Sequence, residues 1–234
     1  MTRDQLEHAI RAACEVSEDT ELWIFGSQAI LGEFPDAPKS LRASIEVDVQ
    51  PKNRPERTDD VDGSLGELSI FHQTHGFYVH GISIESAKLP DGWEQRTVSV
   101  SDPIATRGKT GLCVAAHDLA ASKLAAYREK DKEFVRLLLI EKRIDANILM
   151  ERISTLDVKE QLNNGMFFCQ SLKILKIVAG FPHLLAVINK LQKFIHLLLK
   201  APGFVNIKLQ GKIVIICLYF YTKIIFGTVS ETRA

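Results

Sequence analysis

Two short segments carry side chains whose types and spacing suit phosphate and metal chemistry. Gly26-Ser27 closes a short apolar run, and Glu46 and Asp48 lie two residues apart in the alternating segment SIEVDV. Alternation places both acids on one face of a strand, where two carboxylates repel each other unless a cation lies between them. Mg²⁺ takes hard oxygen ligands of this kind. A Gly-Ser turn before a helix offers backbone N–H groups and a hydroxyl to phosphate.

Each segment also has a plainer interpretation. A Gly-Ser pair is most often an ordinary turn, and paired acids on an amphipathic strand usually form a solvated face. The order of strand, Gly-Ser turn, helix and acid-bearing strand favours one shared site over two unrelated surface features.

The elements that would position these groups follow from apolar periodicity. Thr2 and Gln5 form a capping-box signature at an N-terminal helix. Polar, turn-rich residues predict a loop over 52–67. The remaining pattern predicts helices at 117–128, 132–142 and 145–153, and strands at 22–25, 44–49, 68–71, 77–84 and 96–100. The sequence therefore predicts a mixed α/β fold, with a small twisted sheet flanked by helices and a helical C-terminal portion.

In this order the motifs resemble the nucleotidyltransferase superfamily of the DNA-polymerase-beta kind. Its members use a Gly-Ser turn to hold the triphosphate and paired acids to hold metal. The first acid is Asp in most of them, whereas this chain has Glu46. The segments FGSQAILGEFPDAP, SIEVDV, LPDGWEQR and HDLAASKLAAYREKDKEFV also resemble small bacterial nucleotidyltransferase-like proteins of unknown function. The resemblance covers about residues 5–150.

A further block is similar to abortive-infection toxins of the same superfamily. Asp118 is followed by Lys123, and then by Arg128-x-Lys130-Asp131. In those toxins a helical Lys and a following Asp belong to the active site. The resemblance implies that Lys123 pairs with a phosphate oxygen and that Asp131 orients Lys123 or the acceptor. The plainer interpretation is a surface lysine beside a solvated helix junction.

A third carboxylate is not evident from the sequence. Superfamily members often place another acid on a later strand. Asp62 and Glu67 lie in the predicted loop or at its edge, whereas Glu85 follows the predicted strand at 77–84 and is the preferred third metal ligand. His80 lies inside that strand, where an acid would be expected, so a two-acid site is the alternative.

The histidine and cysteine patterns are weaker signals. His72, His75 and His80 together would suit a transition-metal site, but no Cys lies near them, and structural histidines are the favoured interpretation. The four cysteines are scattered without C-x-x-C spacing, which argues against a zinc knuckle and a dithiol redox site. The N-terminus lacks an apolar segment of signal-peptide length, so a cytoplasmic location is predicted.

Composition and charge limit the function classes. The 234 residues contain 29 Lys+Arg and 29 Asp+Glu, and this balance excludes a strongly basic nucleic-acid coat as a whole-chain property. A hydrophobic content of 46% and a charged content of 25% are typical of a globular chain and exclude a disordered one.

The charge is unevenly distributed along the chain. Residues 161–234 contain eight Lys and one Arg against a single acid, and helical apolar spacing occurs at 171–200. This predicts a nucleotidyltransferase-like domain over 1–160 and a lysine-rich apolar segment over 161–234.

Three interpretations of the lysine-rich segment remain open. It can be a helical cap whose lysines attract RNA or nucleotide phosphate. It can touch a membrane, although stable insertion is not expected, because residues 213–229 are short and contain Lys223. It can also be a non-ancestral tail, since its composition resembles AT-rich sequence translated in another frame.

The resemblance implies a Mg²⁺-dependent nucleotidyltransferase that moves a nucleoside monophosphate from a nucleoside triphosphate to an RNA or protein hydroxyl. Glu46 and Asp48, with Glu85, would hold the metal, while Gly26 and Ser27 would cradle the terminal phosphates. A toxin-like role with an antitoxin-type partner is part of this expectation. The alternative is a catalytically inactive binding or interaction protein, which the Glu46 departure and the lack of a clear third acid favour.

Overall fold

The computed structural model describes residues 1–156. Five strands form one mixed sheet in the order β3-β2-β1-β5-β4. The strands are β1 (Glu21–Phe25), β2 (Glu46–Pro51), β3 (Tyr78–Gly81), β4 (Val98–Ser101) and β5 (Thr110–Cys113). The helices of this part of the chain are α1 (Arg3–Ser17), α2 (Ile30–Glu33), α3 (Thr58–Leu65), α4 (Ile70–His75), α5 (Ala116–Ala126), α6 (Glu129–Ile140) and α7 (Ala146–Ser154). The predicted mixed α/β class is confirmed.

Strand pairing in the centre of the sheet decides which side chains meet. β1 pairs antiparallel with β2, so that Phe25 lies opposite Asp48. β2 pairs parallel with β3, which places His80 beside Asp48. On the other side β1 pairs parallel with β5, and β5 pairs antiparallel with β4. Register therefore brings three chain segments to one spot on the sheet.

Helix α1 covers one face of the sheet. Its capping box is present as predicted, because Thr2 and Gln5 exchange side-chain-to-backbone hydrogen bonds. A Cβ added to Gly111 on β5 would lie 2.6 Å from Ile10 Cδ1, so the glycine allows the helix to approach the strand closely. Buried side chains from α1 and from the inward positions of the strands form this part of the core: Leu6, Ala9, Ile10, Ala13, Leu22, Ile24, Val47 and Val49.

Helix α5 is fixed by charged groups at its N-terminal end. The Ala116 N–H donates a hydrogen bond of 2.9 Å to Glu33 Oε2 of α2. Asp118 is buried and accepts two hydrogen bonds from Arg96, of 2.8 and 2.9 Å, and Arg152 of α7 lies 3.3 Å away. Negative groups are favoured at a helix N-terminus, and here they also tie α5 to its neighbours.

Two predictions for the segment between β2 and β3 are wrong. The predicted loop at 52–67 contains a 3₁₀ turn and the helix α3, and the predicted strand at 68–71 is replaced by the start of α4. In α3 only Thr58, Val61 and Leu65 are buried, so its apolar face is too narrow to stand out from a polar sequence. Ser69 starts α4 because its side chain accepts a hydrogen bond from the His72 N–H.

The other strand predictions hold with shifted ends. The strand predicted at 77–84 shortens to β3, and the one predicted at 96–100 begins two residues later, after a 3₁₀ turn. Within residues 1–156 no helix is long and apolar enough to cross a bilayer. The predictions for 171–200 and 213–229, and the division at residue 160, lie outside the described residues.

Candidate active site

The turn after β1 is shaped by Gly26. Its backbone has φ 66° and ψ −166°, a conformation open almost only to glycine. A Cβ at this position would lie 1.9 Å from Asp48 Oδ2. The glycine therefore lets the backbone rest against the Asp48 carboxylate and starts the 3₁₀ turn Ser27–Ala29, which leads into α2.

The two carboxylates of β2 share one face of the strand, as predicted. Glu46 and Asp48 are partly exposed, while the intervening Val47 and the following Val49 are buried on the other face. His80 of β3 lies between the two acids: its Nδ1 atom is 2.9 Å from Asp48 Oδ1 and 3.0 Å from Glu46 Oε1. One potential ligand atom from each of the three residues lies within 4.8 Å of the other two.

Burial and the close approach of Glu46, Asp48 and His80 shift the pKa values of Asp48 and His80. Burial raises the pKa of Asp48 to about 6, and the charge of Glu46 acts in the same direction, against the hydrogen bond with His80. Partial burial opposes a charged His80, but the hydrogen bond and charges of Asp48 and Glu46 outweigh it and raise the pKa of His80. Both groups therefore hold a proton to higher pH than they would alone, and a bound cation would relieve the same repulsion between the carboxylates.

Lys123 reaches the Gly-Ser turn from α5. Its Nζ atom lies 3.0 Å from Ser27 Oγ and 3.4 Å from Asp131 Oδ1, and it sits 4.7 Å from the centroid of the Phe134 ring. Burial lowers the pKa of Lys123, while the adjacent Asp131 carboxylate opposes that effect. Lys123 is therefore not the surface lysine of the plainer interpretation, since its side chain is only 11% exposed.

Asp131 is fully buried beneath Lys123. Arg128 donates from Nε to Asp131 Oδ2 over 2.6 Å. Burial acts against ionisation of Asp131, but the hydrogen bond from Arg128 and the charges of Lys123 and Arg128 prevail and lower the pKa of Asp131. The helix junction therefore contains one buried, ion-paired carboxylate, Asp131, although Arg128 itself is 61% exposed.

These groups line a single cleft of about 740 Å³, within the roughly 300–1,000 Å³ common for small-molecule sites. From the sequence-based candidates it collects Gly26, Ser27, Glu46, Asp48, Lys123 and Asp131. Glu85 is exposed on the 3₁₀ turn Ile84–Ser86, and it belongs neither to the lining of this cleft nor to the three-residue ligand group.

Two residues of the cleft were undervalued from sequence. The structural interpretation of His80 does not account for its contacts with both acids, and its place inside a strand where an acid would be expected is the signal that the sequence offers. The interpretation of Arg128 as part of a solvated junction misses its second role, since Arg128 lines the cleft and donates a hydrogen bond to Asp131. Lys88 and Lys130 add further positive charge to the lining, which suits a polyanionic ligand.

Comparison with known proteins agrees with this geometry. Residues 4–173 match the family model described as "Nucleotidyltransferase of unknown function (DUF6036)". The chain belongs to this nucleotidyltransferase family. Searches of curated proteins and of solved structures gave no match. Family membership confirms the nucleotidyltransferase part of the resemblance, and the Gly-Ser turn, the acidic strand and the helical lysine all lie within the matched residues.

Proposed function

We propose that this chain is a metal-dependent nucleotidyltransferase that moves a nucleoside monophosphate from a nucleoside triphosphate to a hydroxyl acceptor. The observation that carries the proposal is the convergence of Ser27, Asp48 and Lys123 on one cleft, from the turn after β1, from β2 and from α5. Ser27 and Lys123 are 96 residues apart in sequence, yet their polar atoms are in hydrogen-bond contact. Separate surface features would not meet in this way.

The cleft residues divide into an acidic group that would bind the cation and a second group that would bind phosphate. Glu46 and Asp48 supply carboxylate oxygens that suit Mg²⁺ or a similar divalent cation. When bound, such a cation would supply positive charge that neutralises the charge developing on the phosphates during phosphoryl transfer. In the phosphate-binding group, the Gly26 backbone and the Ser27 hydroxyl face the position proposed for the terminal phosphates.

Lys123 is the proposed cation for a phosphate oxygen. Its ammonium group is a compact point charge, and its contact with Ser27 places it beside the turn. Asp131 is the proposed positioning residue for Lys123, because its buried carboxylate holds Lys123 on one side and Arg128 on the other. The acceptor class, an RNA end or a protein side chain, belongs to the proposal, as does toxin-like action with an antitoxin-type partner.

A second candidate function is nucleotide binding without turnover. It is favoured by Glu46 in place of the usual Asp and by an imidazole, His80, in the position where a third acid would be expected. The two functions differ in one product, since only transfer releases pyrophosphate.

The test uses the full-length protein with each nucleoside triphosphate labelled at the α-phosphate. Mg²⁺ or Mn²⁺ is supplied, together with total RNA or a protein extract as acceptor. We expect pyrophosphate release and label on an acceptor, both abolished in Asp48→Asn. Nucleotide binding without pyrophosphate release would favour the second candidate, and absence of both would refute the site.

A further inference from the structure

His80 faces the same ligand position as the two acids of β2. The parallel register of β2 and β3 places His80 beside Asp48, and Tyr78 beside Glu46. The imidazole Nδ1 atom contacts both carboxylates, at 2.9 Å and 3.0 Å. The site therefore contains two oxygen donors and one nitrogen donor, not three carboxylates.

The spacing of these donors fits a shared cation. Two ligands at right angles around an ion with bonds of about 2.1 Å are separated by about 3.0 Å. The distances from Nδ1 to the two carboxylate oxygens have this size. A proton can also hold them together, so the spacing alone does not distinguish a metal ligand from a hydrogen-bonded histidine.

The exposure of the three side chains bears on whether an ion could reach them. The side chains of His80 and Glu46 are 35% and 37% exposed, and that of Asp48 is 24% exposed. All three line the cleft. A histidine that served only the core would be covered, whereas these three donors remain open to an incoming ion and leave room for phosphate oxygens and water.

The nitrogen donor changes which cation the site prefers. Mg²⁺ strongly favours oxygen ligands, whereas imidazole suits first-row transition ions, whose affinity rises from Mn²⁺ towards Cu²⁺. We propose that Glu46, Asp48 and His80 form a site selective for a first-row divalent transition ion over Mg²⁺, with His80 Nδ1 as a direct ligand. This inference rests on the proposed function, since it names the cation class of the same site.

The test begins with metal alone added to the metal-free full-length protein. Mn²⁺ is titrated by its electron paramagnetic resonance signal, with Mg²⁺ as competitor, and pulsed spectra report nitrogen coupled to the bound ion. We expect Mn²⁺ to bind more tightly than Mg²⁺, with nitrogen coupling from one imidazole. Equal affinity for the two ions, or bound Mn²⁺ without nitrogen coupling, would overturn the proposal.

Two variants assign the effect to His80. His80→Asp replaces the nitrogen donor by a carboxylate, so we expect the coupling to vanish and the preference for Mn²⁺ over Mg²⁺ to be lost. His75→Gln is the matched control, because His75 is exposed on α4 and lies outside the cleft. It should keep both the coupling and the preference. A preference unchanged in His80→Asp, or lost equally in His75→Gln, would contradict the assignment.

Failure of this inference differs from failure of the proposed function. The same proteins are assayed for pyrophosphate release with Mg²⁺ and with Mn²⁺. Equal affinities for Mn²⁺ and Mg²⁺ in a protein that still releases pyrophosphate would sink the metal preference and leave the transferase standing. Nitrogen-coupled Mn²⁺ in a protein that neither binds nor turns over nucleotide would support the metal site and refute the transferase.

Discussion

At the scale of single residues, Gly26 makes the clearest prediction. Its φ of 66° and ψ of −166° disfavour any side chain, and an added Cβ would collide with Asp48. Gly26→Ala should lower the free energy of unfolding by about 3 kcal/mol and abolish metal-dependent nucleotide binding. Urea denaturation and a nucleotide titration measure the two effects.

The matched control for that substitution is Gly76→Ala. Gly76 also has a positive φ, of 71°, but an added Cβ would meet no atom within 4 Å. Gly76→Ala should lower the free energy of unfolding only by the cost of a left-handed backbone conformation, about 1 kcal/mol. Its nucleotide affinity should stay unchanged. Equal losses in both variants would mean that the contact with Asp48 has no importance.

Protonation of Asp48 makes the stability of the folded protein depend on pH. Its pKa rises from 3.8 to about 6, and the pKa of His80 is also raised, so the folded protein holds more protons here than the unfolded chain. Stability from these groups is therefore present at low pH and falls as the pH rises from about 4 through 6 and beyond the folded pKa of His80.

Replacing Asp48 by Asn tests both the metal role and this pH dependence. Asp48→Asn removes a charge at nearly constant shape, so we expect loss of Mg²⁺-dependent nucleotide binding with little loss of fold. In metal-free buffer, its unfolding free energy should change less between pH 5 and pH 8 than that of wild type. Unchanged nucleotide affinity would refute the metal assignment, and an unchanged pH slope would refute the proton sharing.

Lys123 and Lys130 both line the cleft but differ in burial. Lys123 is largely buried against Ser27 and Asp131, whereas Lys130 is exposed. Lys123→Ala should weaken ATP binding by about 1.5–3 kcal/mol and adenosine binding much less, because only the triphosphate loses a charged partner. Lys130→Ala should do less. The ratio of ATP affinity to adenosine affinity in each variant cancels any general loss of folded protein. Similar ratios in Lys123→Ala and Lys130→Ala would show that Lys123 has no special role.

At the scale of elements, local pattern predicted faces but not registers. Alternation in β2 placed Glu46 and Asp48 on one side, and the capping box fixed the start of α1; both are confirmed. The meeting of His80 with Asp48 depends on the β2–β3 register, which long-range packing decides. The helix α3 was missed because only Val61 and Leu65, with Thr58, mark its buried face.

The position of α5 depends on Asp118. This buried carboxylate binds Arg96 and Arg152, and it sits five residues before Lys123 on the same helix. Asp118→Ala leaves two arginines without their partner, and it should cost about 3 kcal/mol of unfolding free energy. Nucleotide affinity should fall with it, because α5 carries Lys123 to the turn.

The control for Asp118 is a pair of similar geometry at the surface. Glu133 accepts two hydrogen bonds of 2.6 Å from Arg136, but its side chain is 53% exposed against 1% for Asp118. Glu133→Ala should therefore cost about 0–1 kcal/mol and leave nucleotide affinity unchanged. Thermal or urea unfolding of both variants decides whether burial, not pairing, makes the difference.

At the scale of the whole molecule, the question is where the folded domain ends. Residues 1–156, which the structure describes, contain the sheet, its helices and the cleft lining named above, and the family match continues to residue 173. The charge composition instead changes near residue 161. The two boundaries, near residue 161 and at residue 173, predict different behaviour on truncation.

A chain ending at residue 160 should fold on its own, because its buried side chains already form a continuous core around the sheet. We expect mixed helix and strand circular dichroism and one cooperative melt, with the residues from 161 onwards affecting the solubility of the full chain. A chain ending at residue 173 is the control. Equal melting temperatures would place the boundary at 160. A higher melting temperature for the longer chain would assign 161–173 to the domain, and an unfolded 1–160 chain would show that the core requires later residues.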